Sequence, residues 1–419
     1  MNRLSFAIAL LTIALTGGVG RFDAVAKEKP AAVAVYGDTV HTMVGPPIEN
    51  GVVVIVDGRI REVTKAGEAT IPAGATVLRG KVVTPGLVDA HTAVGLAGYL
   101  NQEQDQDQID HGEPIQPELR AIDSYNPRER LIEWLRGFGI TTIHTGHAPG
   151  ALVSGQTMVV KTVGDTVEEA VIRPAAMIAV TLGDDARPDG GDSKTKSPGT
   201  RSKAVAMLRG EFVKTLDYLR KQQGADDEKK PDRDLRREAF AEVLAGRLPL
   251  LVTVNRATDI DAALRIAAEF KIPIVLDSAA EAYLLTDRIK QAKVPVIVHP
   301  SMRRAGMGET ENIGFETAAT LRKAGIPVAL QSGYESYVPK TRVVLFEAGI
   351  AAANGLAFEE ALASITIDAA RIIGVDDRVG SLQPGRDGDV AIFDGDPFEY
   401  TTHCTAVVVN GRVVSQAAR

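Results

Sequence analysis

Short apolar runs recur through the middle of the 419-residue chain, and each comes before a stretch with the amphipathic pattern of a helix. This alternation is typical of parallel βα units. Eight parallel strands, each followed by a helix, close a (β/α)8 barrel, the TIM-barrel fold. The sequence therefore predicts an α/β protein with a TIM barrel over residues 85–378. The predicted strands are Leu87–His91, Ile140–His144, Met158–Thr162, Ala175–Thr181, Pro249–Val254, Pro273–Leu276, Pro295–His299 and Pro327–Leu330.

Proline opens four of these predicted strands, each time just after a predicted helix. A proline at the first residue of a strand removes no hydrogen bond from the sheet, so it marks where the strand begins. The four residues are Pro249, Pro273, Pro295 and Pro327.

The regions on either side of the predicted barrel consist of short strands and tight turns. Asp57-Gly58 and Asn410-Gly411 each lie between apolar alternations, which is among the strongest local signals for a β-hairpin. We expect residues 31–84 and 379–414 to pair as one small β-sandwich domain built from both termini, with the barrel inserted between them.

Residues 1–26 have the pattern of a signal peptide. A charged start is followed by the apolar run Phe6–Leu15 and the small-x-small sequence Ala24-Val25-Ala26. We expect cleavage after Ala26 and an exported protein, periplasmic or secreted, with no membrane contact after cleavage. The alternative is a retained N-terminal anchor. Cys404 is the only cysteine, so no intramolecular disulfide can form.

The charge pattern excludes one class of partner. The formal net charge is −7, and the acidic residues are interspersed with no basic stripe. A protein that binds nucleic acid needs such a stripe to neutralise phosphates. We therefore expect no nucleic-acid partner.

The segment that leads into the first predicted barrel strand carries a family resemblance. The run Pro85-Gly86-Leu87-Val88-Asp89-Ala90-His91 resembles the start of the barrel in the amidohydrolase superfamily. Residues 139–143 and 155–162, and the tail segments 369–374 and 380–389, agree with the same family. The resemblance covers nearly the whole mature chain and is closest to the exported, imidazolonepropionase-like members.

Membership of this family implies a metal site at the carboxyl ends of the barrel strands. There, histidines and carboxylates hold one or two divalent ions that activate a water molecule. His91 matches the first histidine of the first strand, but Ala93 stands at the second position, and the histidine expected on the fifth strand and the aspartate expected on the eighth are missing. Threonine, asparagine and glutamine are poor zinc ligands, so we expect the usual metal site not to assemble.

The remaining polar side chains at the predicted strand ends define a candidate pocket, in which His91 is the one candidate metal ligand and no catalytic residue is assigned. Histidines at strand ends could form a relocated zinc site, or could simply be hydrogen-bonded pocket residues. Lys161 could be a residual ligand or anion contact, or could neutralise Asp165 or another nearby carboxylate. The candidate pocket residues are His91, His144, His147, Lys161, Asn255, Asp277, His299 and Gln331.

Two functional hypotheses follow. The first is a catalytically impaired amidohydrolase relative that binds a small molecule or short peptide, or that acts as a homo-oligomer or as the partner of a related amidohydrolase. The second is an active hydrolase of non-peptide C–N bonds, in amides or cyclic amides, with a relocated or non-standard metal site. The expected cofactor is none, or a weakly bound divalent metal, which would be zinc.

Overall fold

The computed structural model describes residues 32–186, 197–224, 230–303, 305–306, 308–334 and 342–419. The predicted signal peptide, residues 1–26, lies outside these ranges. Within them, no helix combines the length and the apolar character needed to cross a bilayer.

The described chain alternates strands and helices through its middle and has strands alone near both ends. The strands are β1 Val33–Val40, β2 Ile48–Val56, β3 Arg59–Lys65, β4 Thr76–Pro85, β5 Leu87–Thr92, β6 Ile140–Thr145, β7 Val153–Gln156, β8 Met158–Lys161, β9 Val171–Arg173, β10 Ile178–Thr181, β11 Leu250–Val254, β12 Ile274–Ser278, β13 Val296–Val298, β14 Val328–Ala329, β15 Val390–Phe393, β16 Cys404–Val409 and β17 Arg412–Ser415. The helices are α1 Arg130–Arg136, α2 Val167–Ala170, α3 Arg201–Gly224, α4 Leu235–Leu244, α5 Ala257–Phe270, α6 Thr286–Ala292, α7 Thr317–Lys323, α8 Val344–Ala353, α9 Phe358–Ser364 and α10 Ile367–Ile372.

One seven-stranded sheet contains strands from both ends of the chain, in the order β17-β16-β15-β4-β1-β2-β3. Strand β4 joins the two groups, because it runs parallel to β1 and antiparallel to β15. The two outer hairpins turn at Asp57-Gly58 and Asn410-Gly411, where all four residues have positive φ, from 49° to 80°. This is the backbone geometry that a two-residue type I′ turn requires, so local residue chemistry accounts for both hairpins.

The middle of the chain forms a four-stranded sheet, β5-β6-β8-β9, and a six-stranded sheet, β14-β13-β12-β11-β10-β7. Each of the eight predicted runs overlaps a strand. Backbone hydrogen bonds join the two sheets at two places. Gly333 N donates to the carbonyl oxygen of His91 (3.3 Å), and Thr157 N donates to the carbonyl oxygen of Met177 (2.9 Å).

The prediction that Met158–Thr162 is a parallel strand is wrong in direction. Strand β8 runs antiparallel to β6, with Thr142 opposite Lys161 and Thr145 opposite Met158. Only the short, helix-free connection 146–152 separates β6 from β7, the strand that leads into β8. A parallel strand needs a crossover of a dozen or more residues, so this segment can only return antiparallel.

Apolar packing closes one end of the middle sheets. Val88, Leu251 and Val275, from three of the parallel strands, form a buried cluster with Ala370 and Ile373, which lie in and just after α10. The buried polar side chains of Thr253, Asp277 and Gln331 lie at the opposite end, where the parallel strands terminate.

Candidate polar site at the carboxyl ends of the strands

A buried aspartate organises the candidate site. Asp277, on β12, accepts hydrogen bonds at Oδ1 from Gln331 Nε2 (2.9 Å) and at Oδ2 from Thr253 Oγ1 (2.7 Å), and its Oδ1 also lies 2.9 Å from His91 Nδ1. These residues come from or just after four different strands, whose parallel alignment brings their carboxyl ends to the same place. His91, Asp277 and Gln331 of the candidate pocket therefore meet.

The electrostatics of this group favour a charged aspartate. Burial by itself would raise the pKa of the Asp277 carboxyl, but the charge of His91 and hydrogen bonds from His91, Thr253 and Gln331 outweigh burial and hold the pKa below its usual range. The carboxylate also fixes the orientation of the His91 ring. His91 Nε2 is buried and has no hydrogen-bond partner among the described residues.

Asp89 supports this site, although sequence reasoning did not select it. Its Oδ1 accepts from Ser332 N (3.1 Å) and its Oδ2 accepts from Ser332 Oγ (2.5 Å), which ties β5 to the segment that carries Gln331. Burial raises the pKa of the Asp89 carboxyl to about 6. The available signal was its place in the run that ends at His91, two residues later.

His144 and His299 are hydrogen-bonded core residues. The two nitrogens of His144 lie 2.7 Å from the carbonyl oxygen of Ala90 and 2.6 Å from Thr157 Oγ1. Burial, followed by repulsion from His91, lowers the pKa of His144 to about 3. The nitrogens of His299 lie 3.1 Å from the carbonyl oxygen of Pro300 and 3.2 Å from Thr317 Oγ1, and burial lowers its pKa to about 4. Both rings are therefore neutral at pH 7.

His147 and Asn255 lie outside the Asp277 group. The His147 ring packs against Gly155, where a Cβ atom would approach its Cδ2 to 2.3 Å, and burial lowers the pKa of the ring to about 4. Asn255 Oδ1 instead accepts a hydrogen bond from Ser278 Oγ (2.8 Å). Neither side chain hydrogen-bonds to His91, Asp277 or Gln331 in the described structure.

The prediction that Lys161 lines the pocket is wrong. Because β8 runs antiparallel to β6, Lys161 lies at the amino ends of the parallel strands. Its Nζ there contacts Asp389 Oδ2 and lies 3.0 Å from Asp387 Oδ2. The other interpretation, a lysine that neutralises a nearby carboxylate, agrees with this geometry. The carboxylates are those of Asp387 and Asp389, whereas Asp165 pairs with Arg128.

A second buried carboxyl group, Glu347 on α8, was also missed. Its Oε2 accepts a hydrogen bond from Met302 N (3.0 Å), and burial raises the pKa of the carboxyl to about 8. A glutamate in the first turn of a helix is ordinary in sequence, so nothing in the local pattern indicated its burial.

The donor atoms do not fit the metal site of the resembled family. His91 Nδ1 and both oxygens of Asp277 hydrogen-bond to each other or to neutral side chains, and both nitrogens of His144 have partners. Across the described ranges, no group of three or more histidine, cysteine, aspartate or glutamate side chains is placed to hold a metal ion. A catalytic zinc site needs three protein ligands and an open position.

The alternation of strands and helices, with a polar site where the parallel strands end, places the protein in the α/β class. A family model described as "Amidohydrolase family" matches residues 208–415. The chain belongs to the amidohydrolase superfamily.

Individual relatives agree with this assignment. An amidohydrolase from Thermotoga maritima MSB8 has a similar structure, with a TM-score of 0.85 and 28% identity, covering 92% of this chain and 100% of that one. The imidazolonepropionase of Rhizorhabdus wittichii is 24% identical over 83% of this chain and 88% of its own length. Amidohydrolase tasK of Hapsidospora irregularis is also 24% identical, over 84% of this chain, but the matched region spans only 38% of that protein.

Proposed function

We propose that this protein is an amidohydrolase-superfamily member that does not carry out the family's metal-dependent hydrolysis and instead binds a small molecule or a short peptide. In this proposal the two middle sheets form a barrel over residues 85–378, and residues 31–84 with 379–414 form a composite β-sandwich domain. The protein acts as a homo-oligomer or as the partner of a related amidohydrolase.

One observation carries the proposal. The carboxylate of Asp277 has three hydrogen-bond partners, His91, Thr253 and Gln331, at distances of 2.7 to 2.9 Å. A metal would have to break these buried hydrogen bonds, and breaking a buried hydrogen bond costs about 1–3 kcal/mol for each group left without a partner. The pocket therefore favours recognition by hydrogen bonding over coordination of a metal.

A second candidate function rests on the His91 ring. A histidine whose Nδ1 is oriented by a carboxylate, and whose Nε2 is unoccupied, has the arrangement of a general base. This geometry favours, as the alternative, a hydrolase of non-peptide C–N bonds in amides or cyclic amides with a non-standard site.

Metal content distinguishes the metal-dependent form of this alternative from the main proposal. After growth with added zinc and manganese, the purified protein should contain less than about one equivalent of tightly bound metal, because three ligands do not converge. Elemental analysis of the parent, of His91→Ala and His144→Ala, and of the exposed control His403→Ala tests this. Stoichiometric metal in the parent and in His403→Ala, lost in the other two variants, would replace the proposal with a metal-dependent hydrolase.

We further propose that the protein is exported and processed after Ala26, on the basis of the N-terminal pattern. Protein recovered from the periplasmic fraction or the medium should then begin at Lys27, as N-terminal sequencing would determine. Recovery from the membrane fraction with residues 6–15 still attached would instead support the retained anchor.

A further inference from the structure

A groove opens at the amino ends of the parallel strands, the opposite end from the Asp277 group. It has a volume of about 630 Å3, within the range of small-molecule sites. All four strand-opening prolines, Pro249, Pro273, Pro295 and Pro327, line it. The groove is therefore separate from the site of the proposed function.

The lining combines apolar side chains with positive charge. Leu264 and Ile272 belong to the apolar part, whereas the charged lining residues are Lys271, Lys293 and Arg371, with no carboxylate among them. Arg371 is paired with Asp368 on its own helix (3.0 Å). Neither lysine forms an ion pair within the described residues, so two uncompensated ammonium groups border an apolar surface.

The backbone at these lysines is unusual. Lys271 and Lys293 directly follow α5 and α6 and adopt the left-handed conformation, each with φ of 55°. At the equivalent place two residues before Pro327 the chain has Gly325, with φ of 81°. Glycine adopts this conformation without strain, whereas other residues pay an energetic cost. Lysine at these two positions is therefore less favourable for the backbone than glycine would be.

We propose that the groove binds an anionic amphiphile, a medium-chain alkyl carboxylate, with its carboxylate held by Lys271 and Lys293 and its alkyl chain on the apolar lining. The positive charge of the two lysines favours a negatively charged head group, and the apolar lining favours an alkyl chain. The alternative explanation for these lysines is structural. Each ammonium group would then stabilise the negative, carboxyl-terminal end of its helix, α5 or α6, without binding a ligand.

Calorimetric titration of the full chain with dodecanoate, below its micelle concentration, tests the proposal. The parent should bind saturably, and Lys271→Gln/Lys293→Gln should bind at least about tenfold more weakly, because it loses two charge-assisted contacts. The matched control, Lys65→Gln/Lys81→Gln, removes two exposed lysines elsewhere and should bind as the parent does. Dodecanol, which lacks the charge, should bind more weakly to the parent.

A second variant separates binding from a helix-capping role. Lys271→Gly/Lys293→Gly should bind dodecanoate as weakly as the glutamine variant, yet unfold at the same temperature as the parent or a higher one. Equal affinity of the parent and the glutamine variant would overturn the proposal. So would binding only to vesicles that contain anionic lipid, or a glycine variant that loses stability but not binding.

Discussion

Replacing Lys161 with methionine should lower the free energy of unfolding by about 3–5 kcal/mol. The lysine side chain is 2% exposed and the side chains of its two partners, Asp387 and Asp389, are each 4% exposed. Methionine keeps most of the volume but removes the buried cation from Asp389, whereas Asp387 keeps its ion pair with Arg378 (2.8 Å). Urea unfolding at pH 7, followed by circular dichroism, measures the change.

An exposed ion pair provides the control. Arg128 and Asp165 are 3.6 Å apart, with side chains 72% and 79% exposed. Such pairs contribute about 0–1 kcal/mol, so Arg128→Met should change stability by no more than this. The double variant Lys161→Met/Asp389→Asn should recover part of the loss, because it removes one uncompensated charge. A loss below about 1 kcal/mol for Lys161→Met would contradict the burial of this cluster.

The second large effect is a dependence of folding stability on pH, which Glu347 causes. Burial raises the pKa of this carboxyl from 4.5 to about 8, while the charge of Arg342 lowers it and that of Asp89 raises it further. The folded protein therefore holds the proton more tightly than the unfolded chain does. The stabilisation from the protonated group is complete below pH 4.5 and is lost as the pH rises towards 8.

The Glu347→Gln variant should lack this loss, because glutamine is neutral at every pH and nearly the same shape. Between pH 5 and pH 8, the free energy of unfolding of the parent should fall by about 3–5 kcal/mol relative to that of the variant. Urea unfolding at four pH values measures the difference, in which most of the titration of Asp89 cancels because both proteins contain it. The exposed control Glu168→Gln should follow the parent. Parallel curves for the parent and Glu347→Gln would show that Glu347 is charged when folded.

Some features of the fold follow from neighbouring residues alone and were predictable from sequence. Asp57-Gly58 and Asn410-Gly411 form their turns because both residues of each pair tolerate positive φ. Similarly, Pro249 directly precedes β11 because proline costs nothing at a strand's start. The run that ends at His91 also indicated the family, which the comparisons support.

The candidate site was predictable in its residue types but not in its pairings. His91 and Asp277 were both expected at strand ends, yet they are 186 residues apart, and their contact depends on how β5 and β12 are placed in space. Asn255 was expected in the same pocket but hydrogen-bonds to Ser278 instead. Pairings of this kind are set by the alignment of whole strands, which no local pattern encodes.

Lys161 and Glu347 show most clearly the difference between what the sequence determines and what the tertiary structure determines. The sequence by itself determined that Lys161 ends a strand, but the direction of that strand depends on the connection before it and on pairing with β6. Likewise, no sequence pattern indicated that the carboxyl of Glu347, on α8, is buried. Conformational preference acts between near neighbours, so sequence determines turns and strand starts. Burial and charge pairing depend on residues that meet only after folding, so the tertiary structure alone decided where these two charges lie.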